Sequence, residues 1–133
     1  MPSGKRHYRL TLAEALSAHD RALRTGGLSG IRSVHEIESA IGRPYSGYYR
    51  PIAQKAAALV ESMSGNHGFV DGNKRTTIIL IHLFLSKSGY QLKPLLTDRS
   101  LDAAMEELIL GAVCHELGFK QIVRWFEERL SRI

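Results

Sequence analysis

The stretch that most constrains the fold is the run from Ile78 to Leu85, which is apolar at every position except His82. A helix that is apolar on nearly all of its faces has to be surrounded by other elements. The run follows a polar stretch, residues 66–77, in which Gly68 and Gly72 disfavour a regular helix. The sequence therefore predicts a polar loop that leads into a buried central helix from about Lys74 to Ser88.

Five further segments carry apolar residues at helical spacing. Capping-box patterns begin at Thr11 and Ser33, Pro51 suits the first turn of a third helix, and Asp98 is predicted to cap the fifth. The five segments are approximately 12–24, 34–41, 51–63, 101–109 and 119–130. We expect a single all-α domain over residues 1–133, a compact bundle of about six helices.

The junction between the loop and the central helix has the character of an anion-binding site. The first N–H groups of a helix lack intrahelical partners, and Gly72 and Asn73 can adopt positive φ angles that turn further N–H groups toward the same point. Lys74 and Arg75 add two cations there. The pattern predicts that residues 72–75 bind phosphate.

Two side chains add chemistry to this anion site. Asp71 carries a carboxylate that can hold a hard divalent cation, and His67 can exchange a proton near neutral pH. These groups beside a phosphate pocket predict phosphate-transfer chemistry. Phe69, which lies between them, is predicted to anchor the loop in the core, whereas His19 and Asp20 on the first helix are interpreted as surface or helix-packing groups.

The order His-x-Phe-x-Asp-x-Asn-Lys-Arg, residues 67–75, resembles the signature of the Fic/Doc family. The Gly26-Gly27-Leu28 and Ile41-Gly42-Arg43 stretches and the helix that ends at Gly89 are also similar, most of all to Doc (death-on-curing) toxins of toxin–antitoxin systems. The resemblance implies the Fic/Doc fold. Many family members have proline where this chain has Gly68, so the glycine is predicted to make the loop more flexible.

The resemblance also implies roles for the motif residues in transfer from ATP with Mg²⁺. His67 would be the general base and Asp71 the metal ligand, while Gly72 and Asn73 would bind phosphate together with the two cations. Lys74 and Arg75 would also stabilise the transferred group. Most Fic proteins have glycine at position 74 and transfer AMP, whereas Doc has lysine and is a protein kinase, so the chain is expected to transfer the γ-phosphate to a protein hydroxyl.

Family analogy extends to partners. The implied target is elongation factor Tu, whose modification would block translation. Self-inhibiting Fic proteins carry the pattern S/T-x-x-x-E-G/N, and no Ser or Thr of this chain is followed by Glu four residues later. A cognate antitoxin is therefore expected to inhibit the chain in trans.

Two other functions remain open from the sequence. Asp71-Gly72-Asn73 resembles the Fic form as much as Doc, which leaves adenylyl or other nucleotidyl transfer. The basic excess lies between residues 40 and 93, which hold seven of the 18 Lys and Arg but two of the 13 Asp and Glu. A non-catalytic module that binds nucleic acid or an antitoxin complex is the alternative of another class, although direct nucleic-acid binding is not expected.

The turn-rich stretch Gly42 to Arg50 has two interpretations. In Fic/Doc proteins the segment between the second and third helices often forms a hairpin that aligns the target, so Tyr45, Tyr48, Tyr49 and Arg50 are candidates for a short docking flap. The other interpretation is a loop whose tyrosines cover the core.

The cellular location is predicted from absences in the sequence. The basic start of the chain is not followed by an apolar stretch, and no segment approaches the roughly 20 apolar residues of a membrane span. The single cysteine, Cys114, is interpreted as a buried small hydrophobe of a cytoplasmic protein.

Overall fold

The computed structural model describes residues 7–65 and 68–133. These ranges contain six α-helices, which confirms the predicted all-α bundle: α1 (Leu12–Ala22), α2 (Val34–Gly42), α3 (Ile52–Gly65), α4 (Asn73–Lys87), α5 (Leu101–Val113) and α6 (Phe119–Arg129). Short 3₁₀ helices extend α1 and α2, at Leu23–Thr25 and Arg43–Tyr45.

Side chains before the first two helices fix where they begin. Thr11 accepts a hydrogen bond from the Glu14 N–H at 3.2 Å, and Glu14 accepts one from the Thr11 N–H at 2.9 Å, so the capping box of α1 is complete. Ser33 caps α2 by accepting from the Glu36 N–H at 3.1 Å. These caps satisfy N–H groups that the helices themselves leave unpaired.

Helix α4 lies in the centre of the bundle, against α1 and α3. Leu80, Ile81, Phe84 and Leu85 are buried on it. Helix α3 also packs against α2, α5 and α6, and its buried alanines allow these close approaches, at positions 53, 56, 57 and 58. The prediction that α4 is buried on nearly all of its faces is confirmed only on one side, because Ile78, Ile79, His82 and Leu83 are half-buried and α3 packs against more helices. The first residue of α4 follows directly on the motif loop.

A two-stranded antiparallel sheet joins the end of α4 to the end of α6. Strand β1 (Tyr90–Leu92) pairs with β2 (Leu130–Arg132), with Gln91 opposite Ser131. Each strand has three residues, which are too few for alternation of apolar and polar positions to be recognised in the sequence.

The predicted cap of α5 is wrong. Ser100 is the N-cap and accepts from the Ala103 N–H at 3.0 Å. Asp98 instead forms a two-pronged ion pair with Arg129 of α6, at 2.8 Å to Nε and 2.7 Å to Nη2. Both side chains are at most 10% exposed, so the pair ties the loop before α5 to the last turn of α6.

Cys114 is also placed differently from the prediction. It is exposed at the C-cap of α5, because the apolar run that precedes it ends on the outer side of the helix, where Leu110 and Val113 are exposed as well. In the described ranges, no helix has both the length and the apolar character needed to cross a membrane.

The Asp98–Arg129 pair gives a pH-dependent prediction. The Arg129 guanidinium, followed by the Leu95 N–H, lowers the pKa of Asp98. Because this pKa is lower in the folded state, the stabilisation is present above the usual aspartate pKa and is lost as pH falls through the lowered value. Asp98→Asn should reduce Tm by about 5 °C or more at pH 7. Thermal melts should show the difference shrinking in strong acid.

A matched control is Asp20→Asn, which changes an exposed aspartate on α1 and should alter Tm little. An Asp98→Asn deficit that stayed constant between neutral and strongly acidic pH would contradict an electrostatic role for the pair.

Candidate active site

The motif loop, residues 68–72, lies beside the connection between α1 and α2. Ile31 and Phe69 form an isolated antiparallel bridge. Three backbone hydrogen bonds hold the two segments together: Arg32 N–H and Ser33 N–H donate to the Gly68 carbonyl at 2.8 and 3.0 Å, and Val70 N–H donates to the Gly30 carbonyl at 3.1 Å. The loop is therefore fixed by a segment 35 to 40 residues earlier in the chain.

Phe69 anchors the loop in the core, as predicted. Its side chain is 1% exposed, and its ring stacks on the His19 ring with centroids 3.8 Å apart and planes 10° apart. The Asn73 side chain holds the Phe69 backbone on the other side, accepting from its N–H at 3.3 Å and donating to its carbonyl at 3.0 Å. The Asn73 amide thus supports the loop, which leaves its backbone N–H as the group that can face a ligand.

His19 is a site residue that the sequence interpretation missed. It is buried on α1, and its Nε2–H donates to the Asp71 carbonyl at 2.7 Å. His19 does pack, as one of the two interpretations expected, but it packs onto the motif loop and so belongs to the site. A signal was present, because His19 shares a helical face with Ala15, Ala18 and Ala22, which are all buried.

The Asp71 carboxylate accepts two backbone hydrogen bonds. One comes from the Leu28 N–H to Oδ2 at 3.0 Å and the other from the Gly72 N–H to Oδ1 at 2.8 Å. These bonds, and secondarily the charges of Arg75 and His19, lower the pKa of Asp71, so the exposed side chain is ionised at neutral pH. Among the described residues, no cluster of three or more His, Cys, Asp or Glu side chains forms a metal site.

Gly72 makes the turn into α4. Its φ of 78° lies in the left-handed region, as predicted, and it is the N-cap. The expectation of a positive φ at Asn73 is wrong, because Asn73 is already the first residue of the helix. The Thr76 N–H donates to the Gly72 carbonyl at 3.0 Å, so the N–H groups of residues 73–75 precede the first intrahelical bond.

The two cations of the motif are used differently. Arg75 Nη1 donates to the Ala22 carbonyl at 2.8 Å and also to Thr25 Oγ1, which ties α4 to the C-terminal end of α1. Lys74 is exposed beside it, and no hydrogen bond or ion pair engages its side chain within the described ranges. Lys74 is thus available to a ligand, and Arg75 is held in place by protein carbonyls.

Gly68 is required by a close contact with α2. A Cβ at this position would lie 2.4 Å from Ile37 Cγ1 and 3.3 Å from both the Ile37 nitrogen and the Ser33 carbonyl oxygen. Gly68 is buried against the first turn of α2. The glycine thus allows the motif loop to approach the first turn of α2, and its predicted effect on loop flexibility stays a prediction.

The predicted docking flap lies away from the motif loop. Tyr45 is in a 3₁₀ helix, donates a hydrogen bond to the Tyr8 carbonyl and packs edge-on against Phe84, 6.2 Å between centroids. Phe84 is eleven residues after Asn73, which is about 16 Å along a helix. No strand occurs between residues 42 and 50. This placement argues against target docking beside the loop.

The other three flap candidates lie at the same end of the bundle as Tyr45, near the last turn of α4. Tyr48 is 87% exposed, the Tyr49 hydroxyl accepts from Arg43, and Arg50 is exposed just before α3. The structure thus brings together Asp71, Gly72, Asn73, Lys74 and Arg75 and separates them from the four flap residues. His67 lies outside the described residues, so its position relative to the loop stays a prediction.

Comparisons with known proteins agree on one family. Residues 9–85 match the family described as Fic/DOC, a range that includes the whole motif. The chain is similar to Toxin Doc of Mycolicibacterium smegmatis, with 39% identity over 72 residues, 50% of this chain and 55% of that protein. It is also similar to Protein kinase doc of Escherichia phage P1, with 32% identity over 111 residues, 78% of this chain and 88% of that protein.

The close contact at Gly68 can be tested by adding one methyl group. Gly68→Ala should lower the free energy of unfolding by about 1–3 kcal/mol, because the new Cβ overlaps Ile37 and neighbouring backbone. Gly42→Ala is the matched control, since a Cβ there meets nothing within 4 Å, and its stability should be unchanged or slightly raised. Equal denaturant midpoints for the two variants would show that residue 68 tolerates a side chain.

Proposed function

The chain belongs to the Fic/DOC family, and on that premise we propose that it is a Doc-like toxin, a phosphotransferase that moves the γ-phosphate of ATP to a hydroxyl of a target protein. The observation that carries the proposal is the open N-terminus of α4. The N–H groups of residues 73–75 have no intrahelical acceptor, and no group in the described part of the chain forms a hydrogen bond or ion pair with the exposed Lys74 side chain. Such a terminus favours a phosphate group through hydrogen bonds and the helix dipole.

Lysine at position 74 supports transfer of the γ-phosphate. Its side chain occupies space that a glycine would leave for an α-phosphate close to the loop, and it adds a charge that can stabilise the transferred group. The phage P1 relative, 88% of whose length the chain matches, is named a protein kinase. Arg75, held by the α1 carbonyls, adds a second fixed cation near the leaving diphosphate.

Asp71 fits a role as ligand of Mg²⁺. Its carboxylate is exposed and ionised, and among the described residues each oxygen accepts one N–H bond, which leaves lone pairs for a hard cation. When bound, Mg²⁺ would neutralise charge on the nucleotide phosphates. The two N–H bonds from Leu28 and Gly72 keep the carboxylate oriented without it.

The proposed step is an in-line displacement at the γ-phosphorus. The target hydroxyl oxygen forms a bond to that phosphorus, the bond to the β–γ bridging oxygen breaks, and ADP leaves. His67 takes the hydroxyl proton. Its role as general base rests on the motif, with Phe69 fixing the chain two residues later.

Transfer of AMP is the second candidate. Asp71-Gly72-Asn73 supports it as well as phosphoryl transfer, because the loop and the open helix end can hold either end of a triphosphate. The reaction would then join the target hydroxyl to the α-phosphorus and release diphosphate. The two reactions differ in which labelled phosphate reaches the target.

Partners follow from the same proposal. One relative is named Toxin Doc, which supports a toxin–antitoxin system for this chain too. We propose that a cognate antitoxin covers the motif loop and the first turn of α4 in trans, and that the target is elongation factor Tu in the cytoplasm, so that modification blocks translation.

The decisive experiment uses ATP labelled separately at the α and γ phosphates, with Mg²⁺, this protein and elongation factor Tu. Label from γ alone should reach the factor. His67→Ala should reduce incorporation by about 10²–10⁴-fold if the histidine is the general base. Label from α alone would overturn the kinase proposal in favour of nucleotidyl transfer, and no label from either position would overturn it for this target and favour a binding module.

Inhibition in trans is tested by copurification. A tagged His67→Ala variant, expressed with the neighbouring genes, should retain a small protein. That protein, once isolated, should suppress transfer by the wild-type chain. A small partner that binds but leaves transfer unchanged would contradict an inhibitory antitoxin.

A further inference from the structure

A groove of aromatic and basic residues lies at the far end of the α3 and α4 pair. Two cavities of about 490 and 610 Å³ share His7, Gly47, Tyr49 and Lys55, and together they form what we call the far-end groove. Ile52, in the first turn of α3, and Tyr90, just after α4, line it. The motif loop joins the opposite ends of these helices, about 20 Å away along α3.

The charge of the far-end groove has one sign. Arg9, Arg50 and Lys55 line it, and none of the described lining residues is Asp or Glu. Lys55 is half-buried on α3 and its burial lowers the pKa of the amine, without a carboxylate to offset the loss of water. A bound anion would compensate this partly desolvated cation.

Tyrosine rings form the other part of the lining. Tyr45 is fixed by its hydrogen bond to the Tyr8 carbonyl and its contact with Phe84. Tyr49 is held by Arg43 at its hydroxyl and packs against Phe119 with centroids 5.4 Å apart. Tyr90 completes the set. Arg9 lies over the Tyr45 ring, 5.1 Å from its centroid, and Arg132 lies over the Tyr90 ring at 5.6 Å. The three rings are therefore positioned by the fold and need little ordering when a flat ligand binds.

We propose that the far-end groove binds a nucleotide unit, with the phosphate on Lys55 and the arginines and the base against a tyrosine ring. Its volume is in the range of small-ligand sites. Sites for single-stranded nucleic acid typically combine cations that contact the phosphates with aromatic rings that stack on the bases. An acidic peptide would use the charges but not the rings. The site does not depend on the proposed transferase activity.

The test measures anisotropy of a fluorescein-labelled oligouridylate of roughly 12 nucleotides at low salt, with the full chain. Lys55→Met keeps the side-chain volume and should weaken binding about tenfold, and should reduce the slope of log K against log salt by about one. Lys120→Met, on the exposed face of α6, is the matched control and should change affinity less than twofold. Lys74→Met removes the exposed cation of the motif and so separates binding in the groove from binding at the motif loop.

The aromatic part is tested by two variants at one position. Tyr49→Phe keeps the ring and should retain affinity, whereas Tyr49→Leu should weaken it about tenfold, with thermal melts to confirm that both are folded. Competition by UMP would indicate a mononucleotide site, and competition only by unlabelled oligonucleotide would indicate a nucleic-acid site; either supports the groove.

Three results would overturn the proposal. These are no binding of the labelled oligouridylate by the wild type, loss of binding in Lys74→Met but not in Lys55→Met, and equal competition by polyglutamate with no effect of Tyr49→Leu. The second result would assign the binding to the motif loop. The third would assign the groove to acidic polymers.

Discussion

The Phe69 side chain is buried beneath the motif loop and stacks on His19 of α1, while the Asn73 amide holds its backbone from the first turn of α4. The bridge to Ile31 secures the same residue from a third direction. Loop residues on either side of Phe69 can therefore move little without exposing an aromatic ring to water. We infer that burial of this ring, worth about 2–3 kcal/mol in apolar surface alone, fixes the backbone that carries the chemistry.

This anchoring explains how the charged residues divide their work. Asp71 and Arg75 are both bonded to the region around the end of α1, so they are fixed in place before any ligand arrives. Lys74 is exposed, and the N–H groups of residues 73–75 precede the first intrahelical hydrogen bond of α4. The fixed Asp71 carboxylate, the fixed Arg75 guanidinium and the anion site beside them suit a reaction in which positioning and charge stabilisation provide most of the catalysis.

The buried α4 also separates two ends of the molecule with different chemistry. Its first turn carries the motif residues, and its last turn packs against Tyr45 and leads to the tyrosine-lined groove. Both ends are basic, which accounts for the charge excess between residues 40 and 93. The sequence interpretation expected the tyrosines of residues 42–50 near the motif, because the first stretch precedes α3 and the second follows it. The 14 residues of α3 separate the two stretches, however, so the tyrosines and the motif lie at opposite ends of this helix.

The sequence by itself determined the six helices, the buried α4, the anchoring role of Phe69 and the family, because these depend on local periodicity, caps and the order of residues in one motif. Tertiary structure decided which distant groups meet: His19 with the Asp71 carbonyl, Asp98 with Arg129, and Gly68 with Ile37. It also decided that Cys114 is exposed. Such contacts join residues tens of positions apart, and they follow from how helices pack, which local patterns do not specify.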